Sequence, residues 1–187
     1  MRRFVLSPVL VFCVCFAIYM GWGNVVLSAV AAAVCHEAGH IAALALMRVR
    51  IRRIRVGFDG AVLETAPIGY LQEIFCAVCG PLVNFVLFFA CVRSWFVFSF
   101  CNLIFLCYNI LPVFPLDGGR ILRAVLLLCF SEGAAVRVLH LAQIITFVGI
   151  SVVGVLLMVQ FRCGVWPIIT AGFLWWKFRR SAVAEGD

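Results

Sequence analysis

Residues 24–47 read NVVLSAVAAAVCHEAGHIAALALM. The run is long and apolar enough to cross a bilayer, which takes about 20 residues of helix. Three polar side chains of note interrupt it: His36, Glu37 and His40. On a helix, positions i and i+4 share a face, so both imidazoles can grip one metal ion. Glu37 lies beside the first histidine and can reach a metal-bound water as a general base. Ionisable groups at such depth are costly, and they mark function by default. A purely structural role would need partners that neutralise Glu37, and none stands nearby in sequence.

The rest of the chain fits this reading. Of its 187 residues 66% are hydrophobic and 12% charged, with a mean hydropathy of +1.17. A soluble domain carries about 25% charged residues. Such a chain has too little polar surface to cover a water-facing globule. The ten cysteines are scattered through the apolar runs and read as small packing residues; even Cys76 and Cys79, a CxxC, fall inside an expected helix.

Six spans are expected: Phe4–Trp22, Asn24–Met47, Ile74–Val92, Trp95 to about Pro112, Val138–Phe161 and a short Val165–Trp176. A shorter apolar helix covers Ile121–Phe130. The first run resembles a signal peptide, but it is long for one and no A-x-A site follows. Between the second and third spans, Arg48–Arg55 alternates arginine with Val and Ile, Gly57–Gly60 signals a turn, and Ala61–Thr65 can return. This predicts a small β-hairpin at the membrane face. The expected fold is an all-α polytopic membrane protein with that one hairpin. No repeat or linker divides the chain, so residues 1–187 read as one domain, with its core at about 24–123.

The net charge of +7 is explained by orientation. With the amino terminus in the cytoplasm, only Arg93 and Arg162 fall outside, and thirteen of the fifteen basic residues obey the positive-inside rule. The expectation is a multi-pass protein of the cell membrane with both termini cytoplasmic. No nucleic-acid partner is needed.

A catalytic zinc usually takes three protein ligands and leaves a fourth position to water. Asp117 is the leading third ligand. It sits in Pro112-Val-Phe-Pro115-Leu-Asp117-Gly118-Gly119, where two prolines and two glycines break the fourth span. Irregular backbone at membrane depth is tolerated only where it is buried in protein or lines a cavity. His40 lies eight residues before Arg48, ~12 Å above the inner basic boundary at helical rise. Asp117 lies just before Arg120, so the expected topology puts both motifs in the cytoplasmic portion of the membrane. The rival is Glu64, 24 residues after His40, but it falls in an expected strand at the water boundary.

His36-Glu37-Ala-Gly-His40, Gly80-Pro81-Leu-Val-Asn84, and Asn109-Ile-Leu-Pro112-Val-Phe-Pro115-Leu-Asp117-Gly118 together resemble the site-2 protease family, and within it the short sporulation branch. The resemblance covers about Val34 to Arg123. It implies zinc bound by His36, His40 and Asp117, with Glu37 catalytic. It also implies that Asn109 holds substrate backbone and that the Arg48–Thr65 hairpin pairs with an extended substrate. Asn84 is a further candidate for positioning a substrate or a catalytic group, against an equally weighted helix–helix hydrogen bond. Members of the branch often carry a carboxyl-terminal CBS domain and other branches a PDZ domain. This chain ends shortly after Arg180, so a form without either is expected.

The implied activity is hydrolysis of a peptide bond within or beside a transmembrane segment of a membrane-associated protein, with a sporulation sigma-factor precursor as one such substrate. Zinc acidifies a bound water and polarises the scissile carbonyl. The substrate helix must unwind first, and a β-edge offers its backbone new partners. The implied partners are the protein substrate, the lipid bilayer and a membrane regulatory protein. Two rivals remain open: a membrane metallohydrolase of lipid or prenyl-peptide substrates, and a non-enzymatic membrane scaffold.

Overall fold

The computed structural model describes residues 21–57 and 60–161, with residue 172 besides. The expected first and last spans and both termini lie outside the described residues, apart from Gly21, Trp22 and Gly172. The chain divides into two compact units after Ile110.

The first unit holds α1 (Gly23–Leu46), β1 (Ile51–Gly57), β2 (Gly60–Thr65), α2 (Tyr70–Cys91) and α3 (Phe96–Asn109). Helices α1, α2 and α3 pack against one another in all three pairings. Small residues set the approach of α1 to α2. A Cβ at Gly39 would stand 2.6 Å from the Cys79 carbonyl oxygen, so only glycine allows this spacing. Helix α1 ends in a Schellman motif. Arg48 takes φ +55°, its N–H donates to Ala45 O at 3.0 Å, and Val49 N–H donates to Leu44 O at 2.9 Å. The chain then leaves extended into β1, which pairs antiparallel with β2, with an irregularity between Ile51 and Arg53.

The distribution of polarity in this unit is inverted relative to a soluble protein. His36, His40, Asn84, Ser99 and Asn102 are buried, while Leu27, Val34, Leu82, Phe85, Val86 and Phe89 are exposed. In water this would present a broad apolar patch around a costly polar interior. In lipid it is the expected arrangement. Helices α1 and α2 are long and apolar enough to cross a membrane. Helix α3 is shorter than the expected fourth span. It has 14 residues and stops at Asn109, three residues before Pro112, because the approach to a proline disfavours helix. At helical rise it reaches roughly 21 Å against the roughly 30 Å of a hydrocarbon core.

The second unit contains α4 (Asp117–Cys129) and α5 (Glu132–Phe161). Leu126, Ala135 and Leu139 form the buried contact between them. Helix α5 is the third element long and apolar enough to span, and its first turn begins before Val138, at Glu132. Helix α4 starts at Asp117, four residues ahead of the apolar stretch that announced it. A Cβ at Gly119 would overlap the Val113 carbonyl and the Phe114 nitrogen, so the loop can fold tightly over the first turn of α4.

Candidate metal centre

His36 and His40 stand one turn apart on the inner face of α1, and both are buried. Their rings meet edge to face with centroids 4.8 Å apart, and their Nε2 atoms lie 3.1 Å apart. The partners of the opposite nitrogens decide what that approach means. His40 Nδ1 lies 2.8 Å from the carbonyl oxygen of Cys76 on α2. A carbonyl can only accept, so Nδ1 carries the proton and His40 Nε2 presents a lone pair in the neutral ring.

His36 Nδ1 lies 2.5 Å from Asn84 Oδ1. Asn84 Nδ2 in turn donates to the Ala32 carbonyl at 3.3 Å and to Asn102 Oδ1 at 2.7 Å. Those acceptors hold the amide in the orientation that turns Oδ1 to the histidine. His36 therefore also donates from Nδ1 and presents a lone pair at Nε2. Two lone pairs at this separation repel unless a metal ion or a shared proton lies between them. The arrangement fits a metal ion bound through both Nε2 atoms, each ligand oriented from behind, as is usual for metal-binding histidines.

Space for the two rings comes from α2. A Cβ at Gly80 would overlap the His40 ring and crowd His36 Cε1. Pro81, which follows it, is buried inside the helix. Proline has no N–H to give the preceding turn, and its ring displaces the carbonyl four residues back. That carbonyl belongs to Ala77, next to the Cys76 whose oxygen holds His40. Phe105 of α3 closes one side, its ring tilted against His36 with centroids 6.3 Å apart. Glu37 lies next to His36 and is half-buried.

Asn84 is fully buried, and its polar contacts run to α1 and α3. These bonds tie α2 to both neighbouring helices and include one to His36 itself. Asn109 is the last residue of α3, half-buried, and its Nδ2 donates to Phe105 O at 3.0 Å. Two contributors escaped the sequence reading. Asn102 stands fully buried behind Asn84 and was signalled only as an amide within the apolar stretch of α3. The Cys76 carbonyl carries no side-chain signal at all. The side chain of Glu64, the rival third ligand, is not among those described.

In the second unit, Asp117 occupies the first position of α4, where a carboxylate meets the positive end of the helix dipole. It is buried, and Arg120 Nη1 lies 3.4 Å from its Oδ1. Arg123 lies over the Phe114 ring at 5.8 Å, which fastens α4 to the loop before it.

The first unit is thus an apolar helical bundle with a pair of histidines buried inside it. Comparison with known proteins shows what the chain resembles. Residues 88–153 match the model of peptidase family M50. A zinc metalloprotease of Methanocaldococcus jannaschii is 30% identical over 118 residues, covering 56% of this chain and 35% of that protein. Stage IV sporulation protein FB of Bacillus subtilis is 34% identical over 100 residues, covering 46% of this chain and 35% of that protein. The chain thus spans about a third of the length of these curated relatives. The solved structure of the site-2 protease from M. jannaschii superposes with a TM-score of 0.65 at 20% identity, covering 96% of this chain and 91% of that one, which shows the shared fold. Motif, sequence and fold agree on the resemblance to the site-2 proteases of peptidase family M50.

Proposed function

We propose that this chain is an intramembrane zinc endopeptidase that cuts a membrane-associated protein within or beside a transmembrane segment. The observation that carries the reading is the approach of the two Nε2 atoms to 3.1 Å, in rings whose Nδ1 atoms are engaged by Asn84 and the Cys76 carbonyl. Asp117 is the third ligand of the proposal. Two imidazoles and a carboxylate are a common catalytic zinc set, and a relative named as a zinc metalloprotease favours that metal.

Zinc, when bound, polarises a carbonyl and acidifies a water. The chain's own residues do the remainder. Glu37 takes the proton of the attacking water and delivers it to the leaving amine. The outer edges of the two-stranded β1–β2 sheet would offer an unwound substrate the backbone partners that its helix has lost. Asn109, at the end of α3, holds substrate backbone. The apolar outer faces of the helices keep this chemistry at membrane depth, in a six-span topology with cytoplasmic termini. The finer substrate assignment, a sporulation sigma-factor precursor, rests on the similarity to stage IV sporulation protein FB.

Purified protein assayed for zinc content and for cleavage of a single-span reporter tests the reading. About one zinc per chain with chelator-sensitive cleavage is expected. Zinc without cleavage of any membrane-protein reporter favours the lipid-hydrolase alternative, and neither zinc nor cleavage removes the enzyme.

A further inference from the structure

The polar relay behind His36 assigns a role to a residue outside the ligand set. We propose that Asn102 is a positioning residue for the metal centre, two hydrogen bonds removed from it, and that it acts by fixing which nitrogen of His36 carries the proton. This rests on the zinc reading above.

The argument runs outward-in from groups that have no choice. The Phe98 carbonyl can only accept, and Asn102 Nδ2 donates to it at 2.8 Å. The Asn102 amide is thereby oriented with Oδ1 toward α2, where it accepts from Asn84 Nδ2 at 2.7 Å. The Ala32 carbonyl, also only an acceptor, draws the same nitrogen from the other side at 3.3 Å. A flipped Asn84 would set its oxygen against both of those oxygens and its amino group against His36 Nδ1. With the flip forbidden, Asn84 Oδ1 faces His36 Nδ1, and the ring must donate. The consequence is a lone pair at His36 Nε2, the atom that a metal needs. Asn84 and Asn102 are both fully buried, so water cannot replace either link.

His40 needs no such relay. Its Nδ1 partner is a backbone carbonyl, which has no second orientation. The two ligands are therefore unequal: His40 is fixed by main chain, while His36 depends on a side-chain amide that a third helix must hold. Replacing Asn102 by leucine removes the acceptor and the fixed amide while keeping similar bulk. Asn84 is then opposed in its flipped state by one carbonyl rather than two oxygens. Asn102→Asp, as the neutral acid favoured by full burial, keeps an oxygen facing Asn84 Nδ2 and a hydroxyl that can donate to the Phe98 carbonyl.

The test has two parts. In metal-free protein labelled with 15N-histidine, His36 should be found as the Nδ1–H tautomer. Finding it as the Nε2–H tautomer overturns the proposal without any variant. Zinc affinity by chelator competition should fall roughly 10- to 100-fold in Asn102→Leu, the usual scale for losing a partner behind a ligand. Asn102→Asp should recover most of it. Wild-type affinity in a folded Asn102→Leu protein, or equal loss in both variants, also overturns it. Failure of the wild-type protein to bind zinc at all would instead strike the zinc reading itself.

Discussion

His36 and Glu37 are adjacent, yet their tasks separate cleanly. In the proposed mechanism the histidine offers Nε2 to a metal, while the carboxylate is the base that moves a proton. Glu37→Gln should therefore keep zinc and lose turnover, by about 10²- to 10⁴-fold for a general base. Metal analysis of the purified variant beside a cleavage assay checks both halves, and near-normal cleavage would remove Glu37 from the mechanism. Asp117→Asn and Glu64→Gln should likewise diverge. Losing a ligand should empty the site at a free zinc concentration that saturates the wild type, whereas losing a carboxylate on β2 should leave it loaded. Zinc content of the two variants at one fixed free zinc decides, and the opposite pattern would move the third ligand to Glu64. Gly80→Ala probes the space around the rings. Its Cβ overlaps the His40 ring, and overpacking of this kind costs about 1–3 kcal/mol. Reduced zinc affinity together with a lowered unfolding temperature is the expected result; unchanged affinity would mean that the rings can shift freely.

At the scale of elements, the i, i+4 histidine pair was legible because helical periodicity alone puts both rings on one face. The Gly-Pro pair and Asn84 were visible as motifs, but their purpose was not. That Gly80 makes room for His40 and that Asn84 holds His36 depend on how α1 meets α2, which no local pattern encodes. Asn102 was harder still, since its meaning requires a third helix. Boundaries also moved for local reasons: α3 ends before Pro112, and α4 starts at Asp117 because the dipole of its first turn welcomes a carboxylate. The end of α1 yields its own prediction. Arg48 carries a side chain at φ +55°, in the left-handed region that glycine enters without cost. Arg48→Gly should stabilise the protein by about 1 kcal/mol, measured by unfolding in detergent. Destabilisation would show that the arginine side chain contributes more than its backbone strain costs.

At the scale of the molecule, the inverted polarity of the first unit's described residues speaks for the membrane more directly than composition did. A mean hydropathy of +1.17 shows only that the chain is apolar. Buried amides and imidazoles beneath exposed phenylalanines show which way it faces. The proposed orientation leads to a topology test in a variant without native cysteines. A cysteine at position 52, in the arginine-rich strand, should be labelled only after the cytoplasmic face is opened. Labelling from outside would invert the topology. The central claim, zinc-dependent proteolysis inside the bilayer, is tested most directly by reconstitution. Purified protein and a single-span reporter in the same liposomes should give a cut within or beside the span. A chelator should abolish the cut, added zinc should restore it, and Glu37→Gln should lack it while retaining zinc. Cleavage that persists in Glu37→Gln or in the presence of the chelator would contradict the account.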